Sequence, residues 1–270
     1  MHAKTLPARH GVLWLLGGYA LFRRNPPLMT ALTFSYLMVV IVINLIPAIG
    51  PFLLPLFLPA LTAMLGNGCR AVEQGRTAAN QIGELLTEGL SQQREGLMRL
   101  GALHLLGSAL LVLASFGLGE KIELNDGMTP EEATQLATDM GLMLLMASPL
   151  LMAFWFAPLL TAWGDVPAGK AIFFSFVASW RNWRPFAMYG LALGVVGVMA
   201  PGLILVIAGL LSPVVLSVLS VVMRMMLLFV LAPTLVASVY LSYRDVFSPV
   251  APATPAPPLA PTSPATPVDE

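Results

Sequence analysis

Long apolar stretches alternate with short polar breaks along the whole chain. Six of the stretches have about the twenty residues that a helix needs to cross roughly 30 Å of hydrocarbon. They are residues 28–46, 52–69, 100–118, 141–163, 186–211 and 214–243. Tight turns join the first pair, at residues 47–51, and the last pair, at Ser212 and Pro213. The pattern predicts an all-α polytopic membrane protein with six transmembrane helices in three hairpins.

Basic amphipathic segments precede the odd-numbered spans. Residues 7–24 and 170–184 combine aromatic and basic side chains, and residues 70–99 mix charges with leucine at helical spacing, interrupted by glycines. We expect interfacial helices in all three. The break between spans three and four is acidic instead. There Thr129 followed by Pro130 predicts a helix N-terminus, and hence a short external helix leading into span four.

Three domains follow from this pattern. Residues 1–27 form a cytoplasmic N-terminus with an interfacial helix, and residues 28–247 form the six-helix transmembrane domain. Residues 248–270 consist mostly of Pro, Ala, Thr and Ser, which predicts a disordered cytoplasmic tail.

The even-numbered spans end in similar sequences. Span two has Phe57-Leu-Pro59-Ala-Leu-Thr-Ala63, span four has Phe156-Ala-Pro158-Leu-Leu-Thr-Ala162, and span six has Leu231-Ala-Pro233-Thr-Leu-Val-Ala237. Chance is the alternative, since these residue types are common here. We interpret the similarity as a parallel repeat of three hairpins, each introduced by a surface helix.

Composition agrees with a bilayer environment. The chain is 57% hydrophobic and 10% charged, against roughly 25% charged in an ordinary soluble domain. Lys plus Arg and Asp plus Glu number 14 each, so net charge gives no reason to expect nucleic acid as a partner. The one cysteine, Cys69, excludes an intrachain disulfide. No cofactor or metal site is indicated.

The basic residues between predicted spans fall on one side, apart from Lys121. By the positive-inside rule both termini are therefore cytoplasmic.

Three polar residues in the spans are candidates for function: Arg224, Asn44 and His104. An arginine inside a span is costly and often functional. Arg224 could contact an anionic substrate or pair with a carboxylate, or it could extend its side chain to lipid phosphate. His104 and Asn44 are more typical of hydrogen bonding between helices.

An aromatic and basic stripe precedes span five. Its candidate anchoring residues are Phe173, Phe176, Trp180, Arg181, Trp183 and Arg184. Such side chains favour attachment to an anionic leaflet. Packing inside the protein is the alternative use. In span five, Gly190 and Gly194 form a GxxxG pattern that permits close helix approach.

The segments Phe156-Ala-Pro158 and Phe173-Phe174-Ser175-Phe176, together with Arg181-Asn182-Trp183, resemble an uncharacterised family of six-helix proteobacterial inner-membrane proteins. More loosely, the chain resembles YciC-type proteins and the membrane domain of some glycerophosphodiester phosphodiesterases. The resemblance implies a bacterial cytoplasmic membrane and an all-helical fold. It brings no catalytic residues, because the catalytic domain of those phosphodiesterases is absent.

The sequence has no nucleophile motif, metal-binding motif or phosphate-binding loop, so we expect no enzyme. The favoured hypothesis is a membrane-organising or partner-binding protein. Its partners would be the anionic inner leaflet and either a second copy or another membrane protein. The alternative is a small transporter or channel using Arg224 near the membrane midplane.

Overall fold

The computed structural model describes residues 3–77, 82–116 and 129–247. Within them the chain forms twelve α-helices. Their bounds are α1 His10–Phe22, α2 Pro26–Asn44, α3 Gly50–Glu73, α4 Ile82–Thr87, α5 Arg94–Ser115, α6 Pro130–Trp155, α7 Ala157–Gly164, α8 Ala168–Arg181, α9 Trp183–Gly194, α10 Ala200–Leu211, α11 Pro213–Met226 and α12 Ala232–Phe247. Two π-helical turns, Val195–Met199 and Leu227–Leu231, join α9 to α10 and α11 to α12.

Six of the described segments are long and apolar enough to cross a membrane. They are Pro26–Asn44, Gly50–Glu73, Arg94–Ser115, Thr134–Gly164, Trp183–Leu211 and Pro213–Phe247. The predicted all-α fold with six spans is confirmed. The predicted tail at residues 248–270 lies outside the described residues, as does most of the acidic segment between spans three and four.

Two local predictions concern the start of span four: the cap at Thr129 and the short helix that follows it. Thr129 caps its helix as predicted: its hydroxyl accepts from the Glu132 N–H (3.2 Å), and the Glu132 carboxylate accepts from the Thr129 N–H (2.7 Å). The predicted helix that leads into span four forms the first turns of α6, which runs without interruption from Pro130 into the span. No glycine or proline stands between Pro130 and the apolar run at a position that would end the helix before the membrane.

The polar break after span two is interrupted at two of its four glycines, Gly75 and Gly89. The interruptions expected at Gly83 and Gly96 are absent, because these residues lie within α4 and α5. Helix α3 ends at Glu73, and Gly75 and Gly89 both have positive φ, on either side of the short helix α4. Backbone with positive φ is open to glycine and strained for other residues. The two glycines therefore set the ends of the amphipathic segment.

The buried core lies at one end of the bundle. Its large and fully buried side chains include Trp14, Phe156, Leu159, Leu160 and Val246. Arginines surround the same end, which we call the basic end; they are Arg24, Arg70, Arg99, Arg184 and Arg244. At the opposite end the helices expose apolar side chains. Only 6% of the most apolar window of span six is buried within the protein.

Helix α1 belongs to that core. Trp14, Leu15 and Phe22 are buried against α9 and α12, and a Cβ on Gly11 would lie 2.1 Å from the carbonyl oxygen of Pro185. We expected this helix to lie on the interface. One of its faces instead packs inside the protein, because α9 and α12 approach it closely enough to bury that face.

The repeat has a structural counterpart. Two of the short helices pack on the hairpin that precedes them in the sequence, α4 on α3 and α8 on α6. The third, α1, packs on α12 of the last hairpin. The repeated proline is buried in all three hairpins (Pro59, Pro158, Pro233), and so is the alanine four residues later (Ala63, Ala162, Ala237). These shared positions make the three hairpins similar units arranged around one core.

Candidate functional site

Helix α8 has two chemically different faces. Ala171, Ser175, Ala178 and Ser179 recur at helical spacing and are buried against the bundle. The aromatic side chains point the other way: Phe173 is 62% exposed and Trp180 is 63% exposed. The stripe that precedes span five therefore faces away from the protein core, toward whatever surrounds the bundle.

The exposed aromatic rings are joined to the basic groups around them. We call the set Phe173, Phe176, Trp180, Arg181, Trp183 and Arg184 the aromatic–basic surface. Phe176 is half-buried and stacks on Trp180 with ring centres 6.2 Å apart. The Arg184 guanidinium lies 5.6 Å from the centre of the Trp183 ring, within the range of a cation–π interaction. Five of the six predicted anchoring residues are exposed, and Phe176 is half-buried.

Serine hydroxyls hold the opposite face of α8 to a break in span four. The Phe156 N–H donates to the Ser175 hydroxyl (2.9 Å), which donates to the Met152 carbonyl (2.8 Å). Ser179 donates to the same carbonyl (3.3 Å). A side chain placed in the helical hydrogen-bond ladder in this way separates two helical segments. Here it separates α6 from α7.

Asn182 fixes the end of α8 to the N-terminal segment. Its side chain is fully buried. It accepts from the Leu6 N–H (2.8 Å) and donates to the carbonyls of Lys4 and Ala178 (2.9 Å each). Lys4 also donates its N–H to the Val246 carbonyl (2.9 Å). These hydrogen bonds attach the end of the aromatic–basic surface to the N-terminal segment and, through Lys4, to the end of α12.

His104 donates a hydrogen bond to α3 at a position where a proline removes the helix's own donor. Its Nδ1–H donates to the carbonyl of Pro55 (3.2 Å). In a regular helix that carbonyl would accept from residue 59, but Pro59 has no N–H. His104 also lies against the ring of Phe154 (4.6 Å between centres), and it lines an apolar cavity of about 350 Å³. The hydrogen bond agrees with the helix-packing interpretation.

The structure does not bring the three polar candidates together. Asn44 is exposed, and its amide donates to the Val40 carbonyl of its own helix (2.8 Å). Arg224 is exposed on α11. Neither is among the residues that line the cavity beside His104. The described residues thus give the transport hypothesis no site shared by Arg224, Asn44 and His104.

A polar network at the basic end had not been predicted. The Asn67 amide donates to the carbonyls of Leu86 and Glu88 (2.9 Å each), and its oxygen accepts from the Trp163 indole N–H (2.7 Å). The Arg70 guanidinium lies 4.8 Å from the centre of that Trp163 ring and 3.4 Å from the Glu88 carboxylate. Charged residues of the predicted interfacial segment therefore connect α3, the α4 region and α7.

A second part of this network ties α12 to α3 and α1. The Glu73 carboxylate accepts from the Tyr240 hydroxyl and pairs with the Arg244 guanidinium. Trp14 donates its indole N–H to Asp245 (3.2 Å). No sequence pattern joins residues so far apart, and only the contact between hairpins one and three brings them together.

Within the described part of the chain, no three His, Cys, Asp or Glu side chains lie close enough together to hold a metal ion. Cys69 is buried as a free thiol.

The chain is 33% identical over 216 residues to a probable inner membrane protein of Burkholderia thailandensis, with 72% of this chain and 78% of the relative covered. The chain belongs to the same family as that protein. No family model and no solved structure matches the sequence.

Membership of this family supports a multi-pass protein of the inner membrane, and six described helices are long and apolar enough to cross a bilayer. The resemblance to an inner-membrane family is confirmed at this level. The looser resemblance to YciC-type proteins and to the phosphodiesterase membrane domain stays a prediction.

Proposed function

We propose that this protein is a non-enzymatic organiser of the inner leaflet, which gathers anionic lipid around the basic end of its bundle. The supporting observation is the two-faced construction of α8. Its serine and alanine face is bonded to span four, while Phe173 and Trp180 project outward. A surface that is rigid on one side and aromatic on the other is suited to the headgroup region.

The physical argument concerns the side chains of the aromatic–basic surface. Trp rings prefer the membrane–water interface, where their apolar body and polar N–H both find suitable surroundings. Each Lys or Arg near an anionic surface adds about 1 kcal/mol of attraction. Arg181 and Arg184 are exposed beside the aromatic rings, and Lys170 is exposed at the start of α8.

The orientation is part of the proposal. Lys4 bonds to Val246, so the two ends of the described chain meet at the basic end. We propose that this end is cytoplasmic, because basic residues between spans remain on that side during insertion. Topology reporters fused after Glu123 and after Tyr243 should give opposite readings, with only the second one cytoplasmic. Two cytoplasmic readings would contradict the arrangement.

Lipid enrichment tests the organising function. The full chain is reconstituted in vesicles of phosphatidylcholine with a minor fraction of phosphatidylglycerol, and protein is then excised in polymer-bounded nanodiscs for lipid analysis. We expect phosphatidylglycerol to be enriched over the bulk vesicle. The double variant Arg181→Gln with Arg184→Gln should lose most of that enrichment.

The matched control removes the same charge elsewhere at the basic end. Arg94 and Arg99 are both exposed at the start of α5. The double variant Arg94→Gln with Arg99→Gln should keep the enrichment near the wild-type value. Equal losses in both double variants would show that net charge alone acts, and the proposed role of the aromatic–basic surface would be wrong.

Partner binding is the second element of the proposal. Its support is the third hairpin, where Leu203, Val206, Val218 and their neighbours remain exposed. A second copy or another membrane protein could cover this apolar surface in place of lipid. Light scattering of the purified protein in mild detergent would distinguish a homo-oligomer from a monomer.

A further inference from the structure

A groove lies between α6, α8 and α9 on the outside of the bundle, where Leu144, Leu151 and Trp183 are exposed. Its volume is about 440 Å³, and its apolar lining includes Leu144, Leu151, Met152, Trp155, Trp183 and Phe186. The two ends of the lining on α6, Leu144 and Trp155, are separated by about 16 Å along the helix axis, at ~1.5 Å for each residue. That length matches one leaflet of hydrocarbon, about half of a ~30 Å core.

The chemistry changes from one end of the groove to the other. Leu144 marks the end remote from the arginines, and Ser179 and Trp183 mark the end at the aromatic–basic surface. At that end the Arg184 guanidinium is held over the Trp183 ring (5.6 Å). None of the groove's lining residues is acidic. An apolar groove therefore ends beside a positive charge.

Both features point to a phospholipid rather than to water or a soluble ligand. An apolar channel is a poor site for water, because water there would lack hydrogen-bond partners. A lipid acyl chain is the apolar material that surrounds such a groove in a bilayer. Basic pockets between transmembrane helices at the cytoplasmic side are suited to anionic headgroups. Arg184 and Arg181 would provide the positive charge for a phosphate.

We infer that this groove binds one anionic phospholipid, with an acyl chain along α6 and α9 and its phosphate beside Arg184. The inference rests on the proposed function, since it assigns a defined site to part of the same surface. It differs in one measurable respect: a site holds a countable lipid, whereas leaflet organisation enriches many lipids around the protein.

Native mass spectrometry of the full chain tests the site. Protein is released from vesicles with equal amounts of phosphatidylglycerol and phosphatidylcholine that carry the same acyl chains. We expect one retained lipid per chain, mostly phosphatidylglycerol. Arg184→Gln should lower the preference for phosphatidylglycerol about fivefold, the factor that one basic contact supplies. A wild-type protein that retains no lipid would overturn the site.

A filled groove provides the second measurement. Ala187 lines the groove and is exposed, so Ala187→Trp should occupy the space without crowding the core and should abolish the retained lipid. Ala102 is an exposed alanine on α5 that does not line this groove. Ala102→Trp should retain lipid as the wild type does, and thermal unfolding of both variants reports whether the fold is intact. Retention by a folded Ala187→Trp variant at the wild-type level would overturn the inference.

The nanodisc and mass-spectrometry results separate the two proposals. Bulk enrichment of phosphatidylglycerol without a retained lipid would leave the organising function standing and remove the site. One retained lipid without bulk enrichment would leave the site standing and remove the organising function.

Discussion

The N–H of Phe156 donates its hydrogen bond to the hydroxyl of Ser175, 2.9 Å away on a different helix. In a continuous helix it would donate to the Met152 carbonyl. The Ser175 hydroxyl stands between the two groups and bonds to both. The end of span four and the interfacial helix α8 are therefore joined at the point where the span is interrupted, two residues before Pro158.

Ser175→Ala should destabilise the protein clearly. The substitution leaves the buried Phe156 N–H without its partner and removes one of two donors to the Met152 carbonyl. An unsatisfied buried polar group costs about 1–3 kcal/mol. Thermal unfolding in detergent should show a midpoint several degrees below the wild type.

The matched control for this variant is Ser220→Ala. Within the described part of the chain, Ser220 bonds only to the Ser217 carbonyl of its own helix (2.8 Å), outside the buried core. Its unfolding midpoint should stay near that of the wild type. Equal shifts in the two variants would show that the bridge at the helix break has no special role.

Asn182→Ala should release the N-terminal segment. The variant removes the acceptor of the Leu6 N–H and a donor to the Lys4 carbonyl. With those bonds lost, residues 3–9 should open locally more often, while the helical core stays folded. Limited trypsin digestion should then cleave after Arg9 much faster than in the wild type, as followed by loss of an N-terminal tag.

Asn44→Ala provides the comparison for that experiment. Asn44 is exposed, and among the described residues it bonds only to the Val40 carbonyl of its own helix. Its removal should leave the rate of cleavage after Arg9 unchanged. Slow cleavage in the Asn182→Ala variant would mean that the bond from Lys4 to Val246 holds the segment by itself.

Sequence reasoning predicted the spans because hydrocarbon imposes a length and an apolar composition that can be read locally. It also identified the stripe from Phe173 to Arg184, since helical spacing is a local property. It left open whether the stripe faces outward, because that depends on the partner of the opposite face. The bonds of Ser175 and Asn182 decide it, and both partners come from other hairpins or from the N-terminus.

The polar network at the basic end was not predicted for the same reason: its partners come from different hairpins. Asn67 and Trp163 are 96 residues apart and bond only because the first two hairpins meet at their basic ends. A lone asparagine in an apolar run gives no indication of its partner. The repeated prolines gave a partial signal, because each marks a span end that packs at the core.

The hydrogen bond from His104 to Pro55 should depend on Pro59. In the wild type, His104→Ala removes the donor to a carbonyl that Pro59 cannot serve, and the expected loss is about 1 kcal/mol. In a Pro59→Ala background the helix regains its own N–H at that position. His104→Ala should therefore cost clearly less stability there, which a double-mutant cycle of unfolding midpoints would detect. Additive effects of the two changes would contradict the proposed exchange of donors.

Two glycines of the spans should respond oppositely to alanine. A Cβ on Gly101 would lie 2.0 Å from the Leu56 carbonyl oxygen, so Gly101→Ala must push α5 away from α3 and should lower the unfolding midpoint strongly. A Cβ on Gly190 would meet no atom of the described residues within 4 Å beyond its own helix backbone and chain neighbours. Because alanine favours helix over glycine by up to ~1 kcal/mol, Gly190→Ala should leave the midpoint unchanged or raise it.

The substitution Gly190→Ala also tests whether the GxxxG pattern of Gly190 and Gly194 joins two copies of the chain. Gly194, like Gly190, has open space around it among the described residues, so close approach of a described helix at this face requires a second chain. If the pattern joins two copies, Gly190→Ala lowers the dimer fraction in light scattering while the unfolding midpoint of the monomer holds. If the dimer fraction is the same in both proteins, the two glycines have no packing role. Any self-association must then use another face of the third hairpin, such as the one that carries Leu203 and Val206.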